Sequence, residues 1–410
     1  MFLQRCKWQP VPRVEFASAR LVWLMLAARF LDEWWGGLLV ILLPLIRDDL
    51  GLDYAQVSVL LASFGWAGWF ADPVTGLIAD VWRRRPIIAW SALGVAGVML
   101  VLARAASFEV MLLVCLGYSV GVTPLAVIAD AVLVDTHPDA VGRIMARQTL
   151  IDTLGALLAP LTATVLAALG MPWPPAFLIA FACFVLYGAL LWRTDFPPNG
   201  VNHDGEAEEG DSGGLRAMWH NLRAVSREPG VWRWLFFITA QDFITDVALG
   251  FKALFLADVI GLDAGWIGLY LAVDMAAGVA GLALLDRALG RWSELVLLRA
   301  SALAVSLLFP LWLFTGAAWL NFLFSLLLTL GASALWPLAK GRLLAAADGR
   351  TATVAALSPL TGLPANVVPL IVGAVAGVAG LRAGLLILLV GPAAMLLILY
   401  GARRAEATRV

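Results

Sequence analysis

Two carboxylates stand at matching places in apolar stretches half a chain apart, Asp32 and Asp242, and they dominate the chemistry this sequence offers. Laying Arg29–Ala62 over Thr239–Ala272 without a gap superposes Asp32 on Asp242, Leu39 on Leu249 and Asp48 on Asp258. The same overlay sets Gly51-Leu52-Asp53 on Gly261-Leu262-Asp263. A charge at the bilayer centre costs at least ~2.5–3.5 kcal/mol, so a carboxylate kept in both copies of a membrane segment needs a partner, water or a proton. A duplicated membrane segment with such a residue reads as a transporter rather than a receptor or an anchor.

The neighbours extend the set. Arg29 lies three residues before Asp32 and four before Glu33, close enough to reach both along one helix, and Asp242 and Asp246 share a face four residues apart. With Asp274, five acids stand at mid-depth against two bases, Arg29 and Lys252. Five such acids cannot all stay ionised at low cost, so Asp32, Glu33, Asp242 and Asp246 are the candidates to carry a proton as well as a substrate. The competing reading pairs Arg29 with Glu33 and Lys252 with Asp246 as structural salt bridges. Asn366 adds a polar contact in a helix whose rhythm Pro359, Gly362, Pro364 and Pro369 break. Aromatic residues at the edges of these segments, Trp34, Trp35, Phe64, Trp66, Trp69, Phe70, Phe243, Trp266 and Trp336, suit either an organic cation or the membrane interface.

The elements that hold these residues follow from composition. Of 410 residues, 61% are hydrophobic and 14% charged, with mean hydropathy +0.88, so the chain must face lipid. Cutting at Gly, Pro and charge clusters gives twelve spans: 21–46, 54–79, 87–104, 108–133, 147–169, 175–193, 231–257, 264–285, 294–314, 317–338, 353–376 and 382–401. With both termini cytoplasmic, one face receives 23 of the 28 Lys and Arg, and the other only Arg47, Arg104 and Arg382. That split is what the positive-inside rule requires and predicts a multi-pass protein of the cell (inner) membrane. The hydrophilic stretch Thr194–Gly230 divides the chain into a first bundle at 1–193, a cytoplasmic linker at 194–230 and a second bundle at 231–410. Within the linker, Leu215–Glu228 has the spacing of an amphipathic helix.

Other chemistries find little footing. Three Cys make no disulfide framework, and His137, His203 and His220 read as loop residues, leaving only a carboxylate cation site at Asp32, Glu33 and Asp242 open. No phosphate-binding loop, nucleophile–base pair or nucleic-acid surface is apparent, so the expectation is a non-enzymatic monomer without cofactor, acting on a small molecule and protons.

Between spans two and three, Asp72-Pro73-Val74-Thr75-Gly76-Leu77-Ile78-Ala79-Asp80 leads into Val81-Trp82-Arg83-Arg84-Arg85, and Gly281 to Arg291, with Asp286-Arg287, occupies the same place in the second half. Both resemble the cytoplasmic loop signature of the major facilitator superfamily, with Val81 for the usual Arg and Arg83 for the usual Gly. Span five, Asp152-Thr153-Leu154-Gly155 to Ala159-Pro160, resembles the Gly-Pro motif of exporters in that family, while Leu113 stands where proton-driven members often carry Arg. The resemblance implies an all-α membrane protein with twelve transmembrane helices in two pseudo-symmetric six-helix bundles, and Asp32 facing Asp242 across a central cavity. It also implies a cytoplasmic gate at Asp72, Gly76, Asp80, Arg83, Arg84, Arg85, Asp135, Asp286, Arg287 and Arg291, with Asp130 and Asp152 nearby. The expected function is proton-coupled export of a small organic, cationic or amphiphilic substrate by alternating access. The alternatives are uptake of a polar nutrient or metal cation, and a lipid flippase or non-transporting sensor.

Overall fold

The computed structural model describes residues 19–81, 83–137, 141–196, 223, 227–289, 291–346 and 366–407. In the first half, α1 (Ala19–Ile41) is followed by α2 (Leu43–Leu50), α3 (Tyr54–Val81), α4 (Arg84–Leu102), α5 (Phe108–Thr136), α6 (Val141–Ala168) and α7 (Pro174–Trp192). The second half runs α8 (Pro229–Asp242), α9 (Ala248–Phe255), α10 (Ala264–Leu289), α11 (Glu294–Phe314), α12 (Ala318–Ala332) and α13 (Leu335–Ala346). It closes with α14 (Asn366–Ala379), α15 (Leu381–Leu386) and α16 (Val390–Ala407).

The duplicated segment folds alike in both copies, for reasons written in its residues. Gly51 and Gly261 end their helices at φ +64° and +79°, a left-handed conformation that favours glycine. The aspartate two residues on then starts the next helix. Asp53 Oδ1 accepts from Gln56 N at 2.7 Å while Asp53 N donates to Gln56 Oε1 at 3.0 Å, a reciprocal capping box, and Asp263 Oδ1 accepts from Trp266 N at 3.0 Å.

The copies differ in how they bend. The first breaks at Leu42, where Pro44 in the opening turn of α2 cannot continue a helix. The second stays helical through 229–260 but widens into two π-turns, Phe243–Val247 and Leu256–Ile260, which hold Asp246 and Asp258. Such single-turn widenings recur at functional sites because they turn side chains off the regular helical register.

Among the described residues, eight helical stretches are long and apolar enough to cross a membrane by length and composition. The other four crossings are α1, whose middle carries Arg29, Asp32 and Glu33, together with α3, the π-widened run 229–260 and Asn366–Ala379. In the first bundle α1 packs on α5 and α6, α3 on α5, and α4 on α5 and α7; in the second, α8 packs on α13 and α16, α10 on α12, and α11 on α12 and α16. Each bundle encloses large buried side chains, among them Trp35, Phe177 and Phe184 in the first and Phe251, Phe309 and Trp312 in the second. Most of the expected linker, including most of its amphipathic stretch, lies outside the described residues, as do Pro359, Gly362 and Pro364.

The bundles meet where α6 lies along α10. Gly268 makes this approach possible, because a Cβ there would sit 2.6 Å from the Pro160 carbonyl oxygen and collide with Thr164. Overpacking of this kind costs about 1–3 kcal/mol. Gly268→Val should therefore lower the melting temperature of the purified protein by several degrees, whereas Gly94→Ala, with open space around its Cβ, should not. Equal melting temperatures for the two variants would refute the tight α6–α10 seam.

Candidate functional site

Arg29 organises the first bundle. Its Nε and Nη2 donate to the two oxygens of Asp152 at 3.2 and 3.1 Å, and its guanidinium lies 3.7 Å from both Asp32 and Glu33. Sequence placed Asp152 among the loop-end charges; instead it is the principal partner of Arg29. Depth explains this, since α1 and α6 start on the same face and Arg29 and Asp152 each lie about three turns in. Gly155 lets α6 come close enough, as a Cβ there would stand 2.6 Å from the Phe30 carbonyl oxygen. Tyr118 OH, from α5, donates to Asp32 Oδ1 at 3.0 Å, and Gln148 Nε2 donates to Asp130 at 2.8 Å.

Lys252 does the equivalent work in the second bundle, with Asp274 and not Asp246 as its partner. Its Nζ donates to Asp274 Oδ2 at 2.6 Å, and Asp274 also accepts from Ser325 Oγ at 2.7 Å and Thr329 Oγ1 at 2.9 Å. The pairing with Asp246 in the competing reading fails because six residues along one helix do not bring side chains together, as three or four do. Asp242 accepts from its neighbour Gln241 Nε2 at 3.0 Å, and Asp246 is exposed.

A cavity of 530 Å³ lies between the halves. Glu33, Gly37, Phe64 and Gly65 line it from the first bundle, and Asp246, Gly250, Met275 and Asn366 from the second. The acids on its wall are thus Glu33 and Asp246, not the repeat-related Asp32 and Asp242. Asp32 is drawn aside by Tyr118, and the π-turn at Phe243–Val247 presents Asp246 to the cavity one turn beyond Asp242. Asn366 reaches across the seam: its side chain presses on Gly65 and its carbonyl oxygen accepts from Trp66 Nε1 at 3.3 Å. Of the other named aromatics, Phe64 lines this cavity, Trp35 is buried in the core, and Trp266 is exposed on the outside of the second bundle. Among the described residues no group of three or more His, Cys, Asp or Glu side chains is arranged to hold a metal ion.

Among the described residues, the charged contact between the halves sits at the face away from the start of α1, termed the far face. There Arg47, just past the first span, binds Asp48 at 2.6 Å and Asp258 at 2.8 Å, and Tyr54 OH donates to Asp258 at 2.6 Å. Hydrogen bonds to Asp258, then to Asp48, hold the Arg47 pKa above its ordinary value, so this cation stays charged. Asp48 and Asp258 are equivalent positions of the repeat, and their coincidence in the overlay was the available signal for this contact. On the near face the expected gate residues pair within a half. Arg84 meets Asp135 at 2.5 Å and Arg85 meets Asp195 at 3.8 Å. Arg83, Asp286, Arg287 and Arg291 are exposed, with Arg287 donating to the Ala283 carbonyl oxygen at 3.2 Å. Asp72, Gly76 and Asp80 belong to the last turns of α3, but their side chains lie outside the described residues.

Two helical bundles around a shared, carboxylate-lined cavity define a secondary-transporter architecture. Residues 22–362 match the Major Facilitator Superfamily, and the chain belongs to that family. Its fold is similar to that of a bacterial homologue of the human lysosomal transporter Spinster in an inward-facing, unoccupied conformation. That likeness has TM-score 0.76 and 17% identity, over 94% of this chain and 96% of the other. It is also similar to the nucleoside transporter NupG, with TM-score 0.69 and 14% identity, over 93% and 98% of the two chains. No curated protein sequence matches the chain.

Breaking a buried ion pair from one side costs about 3–5 kcal/mol, whereas replacing both partners by apolar groups is often tolerated. Lys252→Met should thus lower thermal stability sharply, and adding Asp274→Leu should restore much of the loss. Simple addition of the two single-variant losses would show that the residues are not coupled.

Proposed function

We propose that this protein is a proton-coupled secondary transporter that exports a small organic, cationic or amphiphilic molecule, with the near face in the cytoplasm. The observation that carries this reading is the placement of Glu33 and Asp246, one from each bundle, on the wall of the cavity between the halves. Two carboxylates in an otherwise largely apolar chamber attract an organic cation and accept protons in its place. The substrate loads when these acids are ionised; protons entering from a more acidic far side displace it, and the bundles rock between the two openings. Contacts between the halves at Arg47–Asp258, and the likeness to an inward-facing structure, support a far side that is closed in the present state. The excess of Lys and Arg on the near face supports its cytoplasmic position.

A second reading, uptake of a polar nutrient by the same carboxylates, is favoured by Leu113. It is 69% exposed on the outside of α5, so the site of the arginine found in many proton-driven relatives offers no charge here.

Proteoliposomes with an imposed pH gradient separate the readings. Lipophilic monovalent cations such as tetraphenylphosphonium should exchange for protons in the wild type, and Glu33→Gln with Asp246→Asn should cut gradient-driven flux at least about tenfold. Wild-type pH dependence in that double variant would overturn the proposed role of the pair, and proton-driven symport of a polar solute would establish uptake.

The far-face contact carries its own expectation. The ion pair that crosses the seam, with side chains 14% and 20% exposed, is worth about 1 kcal/mol, the upper end of the range for pairs near the surface. Arg47→Gln should raise the far-open population roughly fivefold, since 1.4 kcal/mol corresponds to a factor of ten. Maleimide labelling of Ser58→Cys, in a background lacking Cys6, Cys115 and Cys183, reads this as faster modification from the far side. An unchanged rate would show that Arg47 does not hold the far face shut.

A further inference from the structure

We propose that the second bundle contains a ligand site of its own, which takes the carboxylate head of an apolar molecule. A separate cavity of 370 Å³ is lined entirely by residues between Ile244 and Pro337. It adjoins the chamber between the halves, with Leu249 and Met275 in both walls, yet nothing from α1–α7 contributes to it. Phe309, Trp312, Leu328 and Trp336 make it apolar, and its polar end is the Lys252–Asp274 pair with Thr329. Its size falls within the range of small-molecule sites, roughly 300–1,000 Å³.

Hydrogen-bond accounting decides which charge that end receives. An ionised carboxylate only accepts, and Asp274 already takes three donors, Ser325 on Oδ1 and Lys252 and Thr329 on Oδ2. The ammonium of Lys252 has three N–H groups, and among the described residues one is committed, to Asp274. The rings of Tyr270 and Trp312, 5.7 and 5.8 Å from Nζ, favour a cation at this place without satisfying its remaining N–H groups as oxygen acceptors would. With Lys252 only 7% exposed, its remaining donors lie at the end of an apolar cavity, where buried polar groups are ordinarily paired. An anionic oxygen completes the ammonium shell with charge-assisted bonds. A cationic head meets an ammonium and an already engaged carboxylate instead. The occupant is therefore a carboxylate with an aliphatic or aromatic body lying against Trp312 and Trp336.

The test uses the purified full-length protein in lipid nanodiscs at pH about 8, where a carboxylic acid is ionised. Binding of radiolabelled decanoate, decanol and decylamine is compared. Decanoate should bind saturably and at least about tenfold more tightly than the other two, the scale of a charge-assisted contact. Gly278→Leu, whose side chain starts 3.4 Å from Thr329 Cγ2 and grows into the cavity without changing charge, should abolish that binding. Lys252→Met should remove the preference over decanol; if it does not fold, Gly278→Leu and the double variant Lys252→Met with Asp274→Leu decide. Glu33→Gln with Asp246→Asn should bind decanoate as the wild type does, whatever that pair does in transport. Equal binding of decanoate and decanol, which is partition into lipid or an ammonium served by water, overturns the proposal. So does decanoate binding that survives Gly278→Leu, or that disappears with the Glu33 and Asp246 substitutions.

Discussion

A charge taken into a membrane has to take its counter-charge with it, and this constraint orders the protein. Arg29 is surrounded by Asp152, Asp32 and Glu33, all within the first bundle, while Lys252 is held by Asp274 within the second. Neither buried pairing crosses the seam. Movement of one bundle against the other therefore leaves each buried cation with its carboxylate, and the cost of separating them in low dielectric, several kcal/mol per ion, does not arise in the transport cycle.

The seam is built from cheaper material. Gly268 lies against Pro160 and Thr164, Gly373 stands close to the Tyr54 carbonyl oxygen, and Gly250 touches Leu61, so the halves meet largely through small residues and apolar contact. Among the described residues its ion pair, Arg47–Asp258, lies at the far edge, where Asp48 stays beside Arg47 as a counter-charge when the halves part. The carboxylates that line the cavity, Glu33 and Asp246, are the ones least tied down: Glu33 has one long contact with Arg29, and Asp246 is exposed on a π-turn. Asp152, by contrast, is held by Arg29 through both oxygens, and Asp274 by one bond from Lys252 and two from hydroxyls.

Much of this could be read from residue order alone. Hydropathy and the distribution of Arg gave the spans, and the loop residues around Asp80 and Asp286 gave the family, because membrane length and charge asymmetry are local properties. The repeat carried further than expected: Gly51 and Gly261, Asp53 and Asp263, and Asp48 and Asp258 play paired roles. Partner choice was less legible. Asp152 and Asp274 are remote in sequence from Arg29 and Lys252, and nothing local reveals that α6 and α10 bring them to the right depth. Nor does a gapless overlay detect a π-turn, which keeps the count of residues but rotates Asp246 into the position that Asp242 was expected to hold.

The far-face contact has one arginine for two aspartates related by the repeat. Where Arg47 stands in the first copy the second has Ala257, so the duplicated segment keeps its anions in duplicate and its cation once. Without that arginine the meeting point would hold two acids and no counter-charge. At this contact the halves are not interchangeable: two second halves would bring two acids together with no cation between them, whereas the present pairing lets one guanidinium serve both.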